Sequence, residues 1–474
     1  MSGDDVYVVG VGATPVGRLY DRTFESLVGE AVMDVLADAG MTNGEEIGSA
    51  WFSNVLMDFF GQPAGKGAAC LTPLMNDGVL PAVPIGNVEG GCASGSLALI
   101  SAVRDIQAGV TDCALAVGVE KMNAPDGRNF LGHMVNALDQ LNPAAWAALY
   151  EETAADVGAA WDRGADRSML MDLYALWAKT HMARYGTTVE QIAASAAKNH
   201  TAAVGNPRAQ YRFAMTVDEV LSDRVVSDPL TRAMCAPTGD GAAAAIVCSS
   251  SHLKTLPGEV RDRALRVLGT GLAGGTYRAD WETERAPVGA ARQAYKQAGL
   301  APDALDVIEL HDASSFAEIH LVEDLGLAPR GEGGPFTASG ATTLEGTIPV
   351  NPSGGLVSRG HPLGATGLLM IRELALQLRG EAGEIQVPKA KIGLAENGGG
   401  VVGNDVALCA VIILGARRTV RTSPWQAGHS AVVACCRRSF GAEQLWDTPS
   451  SGSAVLGSAI RMPAAPELHA AVVP

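Results

Sequence analysis

The sequence is short of cysteine pairs, aromatic rings and positive charge, and each shortage removes a class of protein. Its eight cysteines contain no C-x-x-C spacing, which argues against a zinc site or a disulfide frame and fits thiols kept reduced in the cytoplasm. No apolar run approaches the ~20 residues of a membrane span. The start, Met1-Ser2-Gly3-Asp4-Asp5, lacks the basic and apolar stretches of a signal peptide. Lys and Arg total 35 against 51 Asp and Glu, a net charge of −16, so the basic face that nucleic acid demands is not expected. A local basic patch could still hold an anionic cofactor. Charged residues make up 18% and hydrophobic ones 47%, which describes a folded, core-rich chain and not a disordered one. Aromatics at 5% beside 56 glycines suit an α/β protein with many tight strand-to-helix turns.

At 474 residues the chain exceeds one simple core, so two or more domains or two fused halves are expected. An internal repeat favours fused halves. Leu268-Gly269-Thr270-Gly271 resembles Val9-Gly10-Val11-Gly12 at a shift of 259 residues, and Ala298-Gly299 falls on Ala39-Gly40 at that same shift. Each Ala-Gly closes a helical pattern, where a glycine cap is expected. The first glycines do not make a dinucleotide fingerprint, because the sixth position of G-x-G-x-x-G is Pro15. The strand Val307–Leu310 leads to His311 and a helix with Phe316, Ile319, Val322 and Leu325 on one face. In the first half a helix begins near Cys92 and carries Leu97, Ile100, Val103 and Ile106. Cys92 and His311 therefore read as equivalent strand-to-helix turns, with about 40 extra residues inserted between Trp51 and Gly91. Residues 122–225, with Trp146, Trp161 and Trp177 in Ala-rich helical patterns, read as an inserted helical region. Strands resume near Gly241 and end with the continuous apolar run to Leu414. The stretch 417–474 loses all periodicity and is expected to be a poorly ordered extension, or the product of a shifted reading frame.

Two motifs carry chemistry. Glu89-Gly90-Gly91-Cys92-Ala93-Ser94-Gly95-Ser96 sets a thiol at the start of a helix, where dipole and free N–H groups favour the thiolate an acyl-accepting nucleophile needs. A buried structural cysteine is the commoner fate of an isolated Cys. Gly360-His361-Pro362-Leu363-Gly364-Ala365-Thr366-Gly367 places an imidazole in a rigid glycine loop before a helix marked by Leu368, Ile371, Leu374 and Leu378. Such a His could take a thiol proton or hold a thioester oxygen, or merely satisfy a loop. Asp240, in Thr238-Gly239-Asp240-Gly241, reads as a structural turn.

Together these residues resemble the thiolase family. Asn351 to Gly367 matches that family's C-terminal His motif, Val119-Glu120-Lys121-Met122 the segment after the nucleophile helix, and Glu309-Leu310-His311-Asp312 the sterol-carrier-protein branch. The resemblance spans about residues 5–416. It implies an α/β, five-layer α-β-α-β-α fold of two similar halves. The N-terminal half would take 1–121 and 226–260 and the C-terminal half 261–416, with 122–225 an inserted loop domain that binds CoA. It also implies Cys92 acylated, His361 its activator, His311 and His361 the oxyanion site, CoA and acyl-CoA as co-substrates without a permanent cofactor or metal, and a homodimer. The family's second cysteine is missing: Ala313 stands at one usual position and Glu396-Asn397-Gly398-Gly399-Gly400 at the other. Glu396 is expected to take over proton transfer, with Gly398 and Gly399 in the oxyanion loop. The His-Asp-Ala run is similar to thiolases that work with a small zinc-ribbon/OB-fold partner subunit. A retro-aldolase lyase and a catalytically weak, partner-dependent subunit are the alternatives. CoA-binding residues stay open; Arg184, Lys198 and Arg232 are charges that nothing in the sequence selects.

Overall fold

The computed structural model describes residues 5–124, 126, 131–161 and 167–417. The expected extension lies, from residue 418 onward, outside the described residues. Nine strands form one hydrogen-bonded sheet: β1 (Val6–Ala13), β2 (Ser49–Ser53), β3 (Ile85–Val88), β4 (Cys113–Glu120), β5 (Gly241–Ser249), β6 (Leu265–Gly274), β7 (Val307–Glu309), β8 (Ile392–Gly399) and β9 (Leu408–Ala416). Their order across the sheet is β3-β2-β4-β5-β1-β6-β9-β8-β7. The join between β1 and β6 is narrow, only the pairs Tyr7–Arg266 and Val8–Leu265, so the sheet is two half-sheets meeting at one seam.

Period-two burial assigns the layers. On β4, Ala114 and Ala116 face one apolar cluster while Leu115, Val117 and Val119 face another. On β9, Ala410, Ile412 and Leu414 join the first cluster and Cys409, Val411 and Ile413 a third. The shared cluster holds α3 (Ser94–Gln107) and α9 (Thr366–Arg379) between the half-sheets. Outside the first half lie α1 (Phe24–Asp38) and α2 (Lys66–Asn76); outside the second lie α7 (Ala286–Ala298) and α8 (Ser315–Asp324). This is the expected five-layer arrangement. Between β4 and β5 the chain forms α4 (Pro143–Ala155), α5 (Met169–Tyr185) and α6 (Val189–Ala203), whose apolar faces join the second half's outer core.

The duplication has a steric cause. A Cβ on Gly10 would collide with Val35 and Ala39, and one on Gly12 with Ala31 and Val35; on Gly269 and Gly271 it would strike Ala294 and Ala298, and Ala290 and Ala294. Every pair repeats at 259. The glycines let α1 and α7 lie directly on their strands. A bulge also recurs, skipping Val9 in β1 and Leu268 in β6.

One expected equivalence is overturned. The counterpart of α3 is α9, not α8: both have 14 residues and both occupy the central layer, whereas α8 is in the outer cluster. The residues before Cys92 are therefore not an insertion. Their α2 answers to α8, and β3, parallel to β2, answers to a single bridge between Ile308 and Val350. Cys92 and His361, each just before a central helix, are the paired positions.

Candidate active site

The helix starts of α3 and α9 meet because small residues allow it. A Cβ on Gly367 would collide with the Ser96 N–H, and one on Gly95 would reach 3.0–3.1 Å from backbone of residues 364–368. Glu120 clamps the loop from the other half. Its carboxylate accepts N–H groups from Val55 (3.0 Å), Leu56 (3.2 Å) and Gly364 (3.0 Å), and the Asn54 amide (2.8 Å). The result is that the Cys92 sulfur and a ring nitrogen from each of His311 and His361 lie within 4.8 Å of one another, all three residues buried. The imidazoles meet edge to face with centroids 5.0 Å apart. A sulfur and two nitrogens could hold zinc only by closing to about 3.5 Å from each other, as tetrahedral bonds of 2.0–2.3 Å require.

The tautomer of His361 follows from hydrogen bonds. The Thr366 hydroxyl donates to Pro362 O at 3.0 Å, so toward His361 Nδ1, at 2.8 Å, it can only accept. Nδ1 therefore carries the proton and Nε2, which has no partner among the described residues, presents its lone pair. Burial, then His311 and Arg359, hold the His361 pKa well below the usual imidazole value. Burial, His320 and Arg359 bring His311 down to about 3. Both rings are neutral at pH 7.

The Cys92 thiol is also held neutral, against the thiolate expectation. Burial, followed by the Glu120 and Glu89 charges, pushes Cys92 up to about 12. The helix offers less than its position suggests, since the Ala93 and Ser94 amides already donate to Gly90 O and Gly91 O at 3.1 Å each. A buried thiol facing neutral imidazoles costs less than an ion pair there.

Glu396 is 1% exposed. Its Oε2 accepts the His311 backbone N–H at 3.1 Å and its Oε1 the Cys409 thiol at 3.2 Å. Burial outweighs both donors and raises its pKa to about 7. Gly399 is needed sterically, because any Cβ would strike Gly90 O and the Ala93 N–H in the Cys92 turn. At Gly398 the nearest atoms would be 3.3 Å (Val406) and 3.6 Å (Glu396) away, so no collision demands glycine there.

Several residues escaped the sequence reading. Thr366 lay inside the quoted motif, but its role needs the turn back onto His361. Cys409 faces Glu396 only through the β8–β9 pairing. Asp312 accepts from Leu356 N (2.6 Å) and Asn199 (2.8 Å), tying α6 to the His311 turn. Asp240 is structural, receiving Leu19 N (2.9 Å), Met122 N (2.7 Å) and Asn123 N (3.0 Å). Of the three basic residues left open for CoA, Lys198 is tied to Glu318 at 3.1 Å, Arg184 to Glu282 at 3.2 Å and Arg232 to Asp223 at 2.7 Å.

Two family models cover most of the chain: "Thiolase, N-terminal domain" matches residues 6–251 and "Thiolase C-terminal domain-like" residues 275–415. The chain belongs to the thiolase family. Among thiolase relatives, the acetyl-CoA acetyltransferase of Methanothermobacter thermautotrophicus is 38% identical over 405 residues, 84% of this chain and 97% of that protein. Sterol carrier protein 2 of Bos taurus is 36% identical over 410 residues, 84% of this chain and 71% of that one. Among solved structures, the Ltp2-ChsH2(DUF35) aldolase is similar with a TM-score of 0.68 at 23% identity, covering 88% of this chain and 99% of that one. No helix among the described residues is long and apolar enough to cross a membrane.

Proposed function

We propose that this thiolase is an acyl-CoA C-acyltransferase that cleaves 3-oxoacyl-CoA with CoA, or runs the reverse Claisen condensation, through an acyl-Cys92 intermediate. The observation that supports it is the convergence of Cys92, His311 and His361 within 4.8 Å, with the His361 lone pair free. His361 Nε2 takes the Cys92 proton, and the sulfur attacks the 3-oxo carbon. As the C2–C3 bond breaks, electrons pass into the thioester, whose oxygen is held by His311 and by the now protonated His361. Protonated Glu396 delivers its proton to C2, releasing acetyl-CoA. The CoA thiol then gives its proton to the Glu396 carboxylate and attacks the acyl group, and Cys92 recovers its proton from His361. A pKa near 7 suits a group that must both give and take a proton. The Cys92 and Gly399 amides, with Gly398 in the same loop, are the proposed oxyanion donors for the tetrahedral stage.

The proposed domains are 1–121 with 226–260, 122–225 as the CoA-binding insertion, and 261–416. A homodimer and a small zinc-ribbon/OB-fold partner are proposed as well; the latter draws support from the two-component name of the Ltp2-ChsH2(DUF35) aldolase. Fold likeness at 23% identity carries no reaction, so the lyase alternative gains nothing from it. Incubation with acetyl-CoA should add one acetyl mass at Cys92, absent in Cys92→Ala. Cleavage without any adduct would overturn the thiolase reading. Activity measured with and without a co-expressed partner tests the second component.

A further inference from the structure

Among the described residues, one trio of His, Cys, Asp and Glu side chains gathers its ligand atoms closely enough for a metal ion, and it is Cys92, His311 and His361. The proposed reaction uses these atoms in turn, whereas their geometry offers them together. Each ring has a buried Nε2 without a hydrogen-bond partner among the described residues. In His361 that atom carries the lone pair, because Nδ1–H is given to Thr366 Oγ1 at 2.8 Å. A metal-bound imidazole ordinarily has such support: its second nitrogen donates to a fixed acceptor, which holds the tautomer and the ring's orientation.

The trio is not sealed. Cys92, His361 and His311 are 9%, 6% and 4% exposed, so the site begins at the sulfur itself and needs no separate channel to it. The three ligand atoms lie within 4.8 Å of one another, and a tetrahedral ion asks for about 3.5 Å. That closure is within reach of side-chain torsions. One thiolate and two imidazoles, with a fourth position left for water, make a zinc-type donor set. The trio lacks the oxygen ligands that Mg2+ and Ca2+ require.

We propose that Cys92, His311 and His361 form a reversible inhibitory site for a soft divalent cation of the Zn2+ class. On binding, the S–H bond breaks, its electron pair stays on sulfur to make the S–Zn bond, and the proton passes to solvent. The ion then occupies the sulfur that would attack the acyl donor and the Nε2 lone pair that would take the thiol proton. Acylation therefore stops while the ion is bound. The metal is a transient ligand here and not a resident cofactor. This goes beyond the acyl-transfer reading, and its binding can be measured without turnover.

The test titrates the full chain, first freed of metal by a chelator, with Zn2+, with Co2+ as a coloured probe and with Mg2+ as a control. One Zn2+ per chain should bind in calorimetry, Co2+ should give a sulfur-to-metal charge-transfer absorption, and Mg2+ should do neither. Zinc-loaded protein should resist alkylation of Cys92 by iodoacetamide, read by peptide mass, and should refuse acetyl from acetyl-CoA until EDTA is added. Cys92→Ser, His311→Asn and His361→Asn should each weaken Zn2+ binding by roughly 100-fold or more, and Thr366→Val, which keeps all three ligands, by roughly 10-fold. The absorption and alkylation measurements use wild-type protein, so they decide the matter even where a variant fails to fold. Zn2+ that does not bind, that binds equally well in every variant, or that leaves Cys92 as reactive as before overturns the site. Zinc bound at Cys92, with no acetyl adduct formed by the metal-free protein, overturns instead the acyl-transfer reading and leaves the metal site standing.

Discussion

Replacing Glu396 by Gln separates the chemistry of this carboxylate from its shape. The amide can turn its oxygen to the His311 N–H and its NH2 to the Cys409 sulfur, keeping both contacts while losing the proton. Burial raises the Glu396 pKa from 4.5 to about 7, so the folded chain holds a proton that the unfolded chain releases. The stability this contributes is complete below about pH 4.5 and declines as pH rises through about 7. Between 4.5 and about 7 the decline amounts to about 3 kcal/mol. Glu396→Gln lacks it. The variant is expected to unfold at a higher temperature than wild type at pH 8 and at a similar one at pH 4. Turnover moves the other way, since a positioned proton donor is worth roughly 10²–10⁴-fold. The acetyl adduct on Cys92 still forms, though more slowly, because a CoA thiolate can leave without the proton that Glu396 would supply. Thermal unfolding across pH, steady-state rates and intact-protein mass check the three parts. Undiminished turnover, or parallel stability curves for the two proteins, would refute the assignment.

Thr366→Val keeps volume but strands the His361 Nδ1–H, a loss of about 1–3 kcal/mol; quenched-flow acylation of Cys92 should slow roughly 10-fold or more. Cys409→Ala removes a donor that holds the Glu396 pKa down, so the limb of the kcat–pH profile belonging to Glu396 should move to higher pH, with Cys409→Ser restoring it. Gly12→Ala and Gly271→Ala place the same methyl against the same turn of α1 and α7, and each should destabilise by about 1–3 kcal/mol or more in denaturant titrations; clearly unequal losses would argue against a repeated steric device.

The parts of the fold legible in sequence were those whose cause is local. A glycine that admits a helix onto a strand must remain glycine in both copies, so the pairs Gly10/Gly12 and Gly269/Gly271 preserve the duplication after most side chains have diverged. The equivalence of Cys92 with His311 failed because the comparison rested on apolar spacing, which α3, α8 and α9 share. What distinguishes them is the layer each joins, a tertiary property. The second half's fifth strand has also shrunk to the Ile308–Val350 bridge, leaving no period-two run to mark it. Ionisation was misjudged for the same kind of reason. A helix start favours a thiolate, but the burial that raises Cys92 to about 12 comes from residues far away in the chain.

The corrected pairing explains why both halves are needed for one reaction. Each copy of the α/β unit ends a loop at the start of a central helix, and each such loop carries one of the proposed reactive groups, Cys92 just before α3 and His361 before α9. Neither half alone would hold the proposed nucleophile beside its proposed base. Bringing the two together requires close backbone approach, at Gly367 above all and also at Gly95, Gly118 and Gly364, and a clamp, Glu120, that reaches across to Gly364 N. Divergence of the duplicated loops could therefore change what is carried, thiol in one and imidazole in the other, but not the glycines that set their separation. A methyl group at Gly367 would collide with the Ser96 N–H and force the helix starts apart. Since proton transfer needs heavy atoms within about 3 Å, even a shift of about 1 Å should slow Cys92 acylation more than it lowers global stability, an imbalance not expected of a substitution that merely loosens the core.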